Sequence, residues 1–129
     1  MPKTNDKKDD KVYNKPANTL IGQGVNLRAK RLTGAESVRI DGLYTGDIEL
    51  EGYLQVGESG SIEGNIQVSY ALIAGRIVGN ISCRATVHLS PGAVVLGDII
   101  TGKVIIDEGA IFHGMCKTRY DETEELMVV

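Results

Sequence analysis

A short tripeptide recurs through most of the chain and limits what the chain can fold into. Glycine, a variable residue and an apolar residue follow one another at Gly46, Gly64, Gly79, Gly97 and, more loosely, Gly114. These glycines are separated by 18, 15, 18 and 17 residues. A repeat of this length cannot bury a core by itself, so each unit has to stack on its neighbours. The pattern therefore predicts a solenoid.

Each unit contains three short alternations of apolar and polar residues, separated by turns. The first alternation is expected to share one inward face, at Val38 and Ile40, Leu54 and Val56, Leu72 and Ala74, Val87 and Leu89, and Val104 and Ile106. Glycines stand at the corners, where a positive φ suits them. We predict an all-β fold of about six triangular coils of about 17 residues, with 20–32 as an irregular first coil. Stacking at about 4.8 Å then gives a core ladder of Ile48, Ile66, Ile81, Ile99 and Cys116.

The two ends of the chain differ from the repeat region. Residues 1–18 mix five lysines with three aspartates and contain almost nothing apolar, and residues 119–129 are acidic. We predict a disordered N-terminal tail at 1–18, a solenoid at 19–118 and a disordered acidic tail at 119–129. The final segment LMVV leaves three alternatives open: it folds back on the last coil, binds a partner or has no role.

Charge and cysteine content argue against several classes of function. The net charge is −3, and no basic patch is present that could hold nucleic acid phosphates. The N-terminus has no apolar run of the kind found in signal peptides or bilayer spans, so we expect a cytoplasmic protein. Cys83 and Cys116 lack metal-binding spacing, and the ladder places them about 10 Å apart, too far for a disulfide. We expect two buried free thiols.

Histidine supplies the candidates for catalysis. Left-handed β-helix acyltransferases build coils of similar length and use histidine as a general base, for which His88 and His113 are available. That fold needs an aliphatic residue at every sixth position, and the observed spacings break this register. Solvated strand or corner positions are therefore the preferred interpretation of both histidines. Turn positions are likewise the preferred interpretation of Asp41, Asp47, Asp98 and Asp107. No phosphate loop, nucleophile elbow or zinc-protease motif occurs. We therefore predict that the protein is not an enzyme and that it has neither a cofactor-binding site nor a metal site.

Four segments occur in order along the repeat region: SVRIDGLYTGDI, SIEGNI, SPGAVVLGDI and VIIDEGAIFHGMC. Taken together they resemble the bactofilins, which are bacterial cytoskeletal proteins, and the resemblance covers about residues 19–118. It implies a right-handed parallel β-helix that polymerises without nucleotide into non-polar filaments. It also implies attachment to the inner membrane face and a role in cell shape, cell-wall synthesis or motility through partner proteins. Many members carry a short hydrophobic membrane-targeting segment at the N-terminus, and MPKTNDKKDDK contains none.

The ends of a parallel solenoid favour assembly. Each end exposes unpaired strand edges and a slice of core, and neither flank of this chain supplies a clear cap. End-to-end stacking gives a filament, through head-to-tail or symmetric joints, and the resemblance implies the symmetric form. The candidates for the polymer interface are Leu20, Ile21, Val25, Leu27, Ile111 and Phe112. Phe112 anchors the interface, plugs its own core, or does both. We predict a self-assembling scaffold; the alternatives are a solenoid acyltransferase and a solenoid adaptor that does not polymerise.

Overall fold

The structure is a computed structural model that describes residues 19–34, 36–120 and 123–128. The described residues form fourteen β-strands and no helix. The strands are β1 (Thr19–Ile21), β2 (Asn26–Gly34), β3 (Val38–Ile40), β4 (Leu43–Leu50), β5 (Tyr53–Val56), β6 (Ser61–Glu63), β7 (Ile66–Ile73), β8 (Arg76–Val78), β9 (Ile81–Leu89), β10 (Val94–Leu96), β11 (Ile99–Ile106), β12 (Ile111–His113), β13 (Met115–Tyr120) and β14 (Thr123–Val128).

Strands β1 to β13 wind into a parallel β-solenoid of about six coils, which confirms the predicted fold class. Each coil contributes one segment to each of three faces. Face 1 holds β1, β3, β5 and the second halves of β7, β9 and β11. Face 2 holds the first parts of β2 and β4, followed by β6, β8, β10 and β12. Face 3 holds the second parts of β2 and β4, the first halves of β7, β9 and β11, and then β13.

The core is a column of aliphatic side chains inside the three faces. Residues that alternate along each strand point inward, and equivalent positions in successive coils lie side by side because the strands pair parallel and nearly in register. On face 2, for example, the inward row runs through Tyr44, Ile62, Ile77, Val95 and Phe112, all at most 4% exposed. Burial of this continuous row stabilises coils that could not fold singly.

Turn length between face 1 and face 2 accounts for the unequal repeat. Four residues, 57–60, connect β5 to β6, and four residues, 90–93, connect β9 to β10. Only two residues, 74–75, connect β7 to β8. The corner between faces 3 and 1 is also one residue shorter here, since Val68 to Tyr70 lies opposite Cys83 to Thr86. The two differences together explain why Gly64 and Gly79 are only 15 residues apart. Differences in chain length are thus absorbed at these two corners while the stacked strands keep their alignment.

The predicted inward phase is wrong in the fourth coil. Ala71 and Ile73 are fully buried, while Leu72 is half-buried on the outer side, beside Gln55 and His88. The sequence is apolar at both phases here, so alternation alone does not distinguish them. The register is set instead by pairing, because Ala71 lies between Leu54 and Val87.

The C-terminal segment contains a strand that lies against the last coil. Strand β14 pairs antiparallel with β13, with Cα partners from Met115 and Val128 to Tyr120 and Thr123. Of the three alternatives for this segment, the structure shows the one in which it folds back on the last coil. The physical reason is that the edge of β13 offers unpaired backbone groups, which any neighbouring extended segment can satisfy. The predicted N-terminal tail, 1–18, lies outside the described residues.

Candidate functional site at the ends of the solenoid

The corner between faces 2 and 3 is built on a column of glycines. Gly46, Gly64, Gly79, Gly97 and Gly114 all have positive φ, between 138° and 151°. A Cβ at Gly97 would overlap the carbonyl oxygen of Gly79, and the other members of the column would meet the preceding coil in the same way. Only glycine fits both this conformation and this close approach. The recurring tripeptide is therefore a requirement of backbone stacking.

A ladder of side-chain oxygens runs next to this glycine column. The Asn65 N–H donates to Asp47 Oδ1 at 3.1 Å, and the Asn80 N–H donates to Asn65 Oδ1 at 3.2 Å. The Asp98 N–H donates to Asn80 Oδ1 at 3.0 Å, and the Met115 N–H donates to Asp98 Oδ1 at 3.1 Å. We call Asp47, Asn65, Asn80 and Asp98 the Asx ladder. Each member satisfies a corner N–H of the next coil, so the ladder fixes the corner along its length.

The predicted core ladder lies directly inside this corner. Pairing places Ile48 beside Ile66, Ile66 beside Ile81, Ile81 beside Ile99, and Ile99 beside Cys116. All five are buried. Cys83 and Cys116 are buried free thiols, as predicted. Burial raises the pKa of the Cys116 thiol above its ordinary value.

At the N-terminal end, the described residues leave part of the core of the first coil accessible. Ile21, Leu27 and Leu32 are the inward residues of the first coil, one from each face. Ile21 is buried, whereas Leu27 is 38% exposed despite its inward position. Leu20 and Val25, outside this slice, are 63% and 47% exposed. Among the described residues, no strand pairs with the outer edge of β1 or β2.

The C-terminal end is more closed. Phe112 occupies the same inward row as Leu27 but is only 4% exposed, so it fills the core of its own coil. Its neighbour Ile111 points outward beside Val94 and is 50% exposed. Within the described part of the chain, the outer edges of β12 and of the second half of β11 have no strand partner, while β13 is paired with β14. The six interface candidates are thus divided between two opposite ends.

The histidines and aspartates occupy the outer surface. His88 Nε2 lies 2.9 Å from Asp107 Oδ2, between the buried Val87 and Leu89. His113 is exposed at the end of β12, just before Gly114. Asp41 forms an ion pair with Arg39 at 2.8 Å. Asp47 and Asp98 belong to the Asx ladder. Each of these side chains therefore has an evident structural contact or a solvated position.

Two further properties concern metals and membranes. The described residues contain no group of three or more histidine, cysteine, aspartate or glutamate side chains placed to hold a metal ion. In the same part of the chain, no helix has the length and apolar character needed to cross a bilayer.

Sequence reasoning missed the Asx ladder and left open whether the C-terminal segment folds back. The turn interpretation covers only Asp47 and Asp98 of the ladder, although the signal is present, because Asp or Asn follows the corner glycine in four successive units. Strand β14 had no such signal, since its sequence does not match the repeat. The burial of Phe112 could be anticipated only by knowing that Val95, and not Val94, is its inward neighbour.

Comparison with known proteins identifies the family. The family model for bactofilins, described as polymer-forming and cytoskeletal, matches residues 19–117. Bactofilin BacP of Myxococcus xanthus is 37% identical over 97 residues, which are 75% of this chain and 40% of BacP. Bactofilin BacO of the same organism is 37% identical over 98 residues, which are 76% of this chain and 77% of BacO. The chain thus matches less than half the length of BacP and about three quarters of BacO.

Solved structures agree with this match. The solid-state NMR structure of the cytoskeletal bactofilin BacA superposes with a TM-score of 0.67 at 31% identity, covering 75% of this chain and 91% of that chain. The crystal structure of a mutant bactofilin from Thermus thermophilus superposes with a TM-score of 0.62 at 27% identity, covering 69% of this chain and 98% of that one. The stacked glycine corner, the six-coil solenoid and these matches lead to one conclusion: the chain belongs to the bactofilins, a family of polymer-forming cytoskeletal proteins.

Proposed function

We propose that this protein assembles end to end into filaments without nucleotide and serves as a cytoskeletal scaffold. The observation that carries the proposal is the state of the two ends. Within the described residues, no strand pairs with the outer edges of β1, β2, β12 and the second half of β11. In the first coil, the inward side chain of Leu27 is 38% exposed. Pairing these edges with a second copy would satisfy their N–H and C=O groups and bury that core.

The joints of the filament are symmetric in this proposal, N-terminal end to N-terminal end and C-terminal end to C-terminal end. Such joints leave the filament without polarity, as the family resemblance implies. A two-fold axis across a joint brings the facing strands together in antiparallel order. Every exposed edge can accept an antiparallel partner, because antiparallel pairing needs only free backbone groups.

The scaffold acts by concentrating partners along its length. A filament repeats the same outer faces at regular intervals, so a partner that binds one copy weakly gains avidity from many copies. We propose that the bound partners are proteins of cell-wall synthesis or motility and that the filament supports cell shape at the inner membrane face. The protein itself acts structurally and not as an enzyme. Two features argue against the acyltransferase alternative. His88 is hydrogen-bonded to Asp107 on the outer surface, and the uneven coil lengths break the register of an aliphatic residue at every sixth position.

The test is assembly of the purified protein without nucleotide, followed by sedimentation and negative-stain electron microscopy. The informative variant is Leu27→Asp, which places a charge in the open slice of core at the N-terminal end. Desolvating an unpaired carboxylate in a joint is costly, so we expect this variant to raise the critical concentration at least tenfold. Breakage at alternate joints should leave short oligomers.

The matched control is Leu43→Asp. Leu43 is 49% exposed on the outer side of face 2 in the second coil, so the same charge falls outside the joint. This variant should assemble like the parent protein. A parent protein that sediments as a monomer at every concentration would favour the adaptor alternative, and acyl-coenzyme A binding by that monomer would favour the acyltransferase.

A further inference from the structure

Strand β14 covers one of the three strand edges at the C-terminal end of the solenoid. Strand β14 pairs with β13 over six residues on face 3, while β11 and β12 leave the edges of faces 1 and 2 bare within the described residues. Its direction is antiparallel, whereas every other strand pair in the solenoid is parallel. Strand β14 is therefore not a seventh coil but a separate element added to one face.

This placement interferes with assembly at the C-terminal end. A second copy that approaches this end has to pair with the edges of all three faces together. With β14 in place, face 3 extends one strand farther than faces 1 and 2, a step of about 4.8 Å. A joint formed over that step would leave the edges of β11 and β12 unpaired, and unpaired backbone groups inside a joint are costly. The step therefore has to be removed before the three faces can pair together.

Strand β14 is suited to detachment from β13. Within the described residues, it pairs with the solenoid through β13 alone. An element attached along a single edge opens at much lower cost than the core. Opening it would uncover the backbone groups of β13 without disturbing the five coils above. The same edge can thus be occupied by β14 or by another molecule, but not by both.

We propose that β14 is an autoinhibitory cap that competes with a second copy of the chain for the edge of β13. This inference rests on the proposed function, because it concerns the joint between two C-terminal ends. In the unassembled protein, β14 occupies the edge of β13 and thereby opposes formation of the joint between two C-terminal ends. During assembly, β14 leaves and the facing C-terminal end takes its place. The N-terminal joint is not subject to this competition.

The experiment compares critical concentrations of assembly, measured by sedimentation, for the full chain and three variants. The first variant ends at Tyr120 and lacks β14. The second, Leu126→Pro/Met127→Pro, keeps the length and charge of the segment but removes two adjacent N–H donors, one of which faces β13 in either pairing phase. The third, Glu124→Gln/Glu125→Gln, removes negative charge while leaving the backbone able to pair.

If β14 is an autoinhibitory cap, the truncated and proline variants should have a critical concentration at least threefold lower than that of the full chain. The critical concentration of the glutamine variant should be close to that of the full chain. Hydrogen exchange should show the β13 amides that face β14 protected in the unassembled full chain and exposed in the unassembled proline variant. The Met115 amide, which donates to Asp98 Oδ1, should stay protected in both. Equal critical concentrations for the full, truncated and proline chains would overturn the cap alone. An equal decrease for the glutamine variant would also overturn it, because repulsion between charges would then explain the effect. Failure of every chain to polymerise would overturn the proposed function and the cap together.

Discussion

At the scale of single residues, the corner glycines carry the strongest constraint in the molecule. Their φ values lie in a region that side chains with a Cβ rarely adopt, and a carbonyl oxygen of the preceding coil occupies the space where a Cβ would stand. Both effects act at each member of the column. A substitution there has to distort the corner of two coils at once, so the cost cannot be relieved locally.

The prediction concerns Gly97, which lies in the middle of the column with a φ of 147°. Gly97→Ala should lower the free energy of unfolding by at least about 2 kcal/mol, because a strained backbone and an overlap with Gly79 add together. Urea unfolding followed by circular dichroism measures this. Gly22→Ala is the matched control, since a Cβ at Gly22 meets nothing within 4 Å and should change stability little. Equal effects of the two substitutions would contradict the account of the corner.

At the scale of elements, the Asx ladder couples one coil to the next. Each member accepts the N–H of the residue below it, so the four side chains act in series along the corner. The ladder ends at Met115, which has no side-chain oxygen to offer a further coil. The ladder therefore runs from the second coil to the last.

The prediction for this element concerns Asn80, whose side chain serves Asp98. Asn80→Ala should lower the free energy of unfolding by about 1 kcal/mol, because the Asp98 N–H loses its protein acceptor. Hydrogen exchange at the Asp98 amide should accelerate in the same variant. Gln67→Ala, on the neighbouring outer row of face 3, is the control and should stay within about 0.5 kcal/mol of the parent. An unchanged Asp98 amide would argue against the hydrogen bond.

The elements also show what the sequence could and could not predict. The row from Ile48 to Cys116 was predictable because an apolar residue, isoleucine in four units and cysteine in the fifth, stands two positions after the corner glycine, which fixes both corner and phase. The phase of Ala71 and of Val95 was not, because apolar residues fill both alternations there and the pairing partner decides. Strand β14 was unpredictable for a different reason: it depends on an available edge and not on a repeat.

At the scale of the whole molecule, the two ends are unlike. Inward Leu27 leaves core exposed at the first coil, while inward Phe112 closes the core at the last. Phe112 therefore lies in the core of its own coil, and an additional role in a joint between molecules stays a prediction. Its burial makes it first a residue of its own core, and the outward Ile111 is the better probe of contacts between molecules at this end.

The prediction is a contrast between two arginine variants of adjacent residues. Phe112→Arg should lower the free energy of unfolding by about 3 kcal/mol or more, because it removes a buried aromatic side chain and introduces a charge. Ile111→Arg should leave the unfolding midpoint nearly unchanged and raise the critical concentration of assembly. Thermal unfolding and sedimentation of both variants provide the test. Full stability of Phe112→Arg together with loss of filaments would assign Phe112 to the joint instead of the core.

The turns between face 1 and face 2 vary from two residues to four without shifting any stacked strand, so chain length at this corner is independent of the fold. A foreign peptide inserted between Glu58 and Ser59, both exposed, would meet that same tolerance. In a filament with symmetric joints it would be displayed once per subunit, in alternating orientation. This corner could therefore be engineered, or altered in evolution, to carry an attachment point on every subunit while the interior stays as it is.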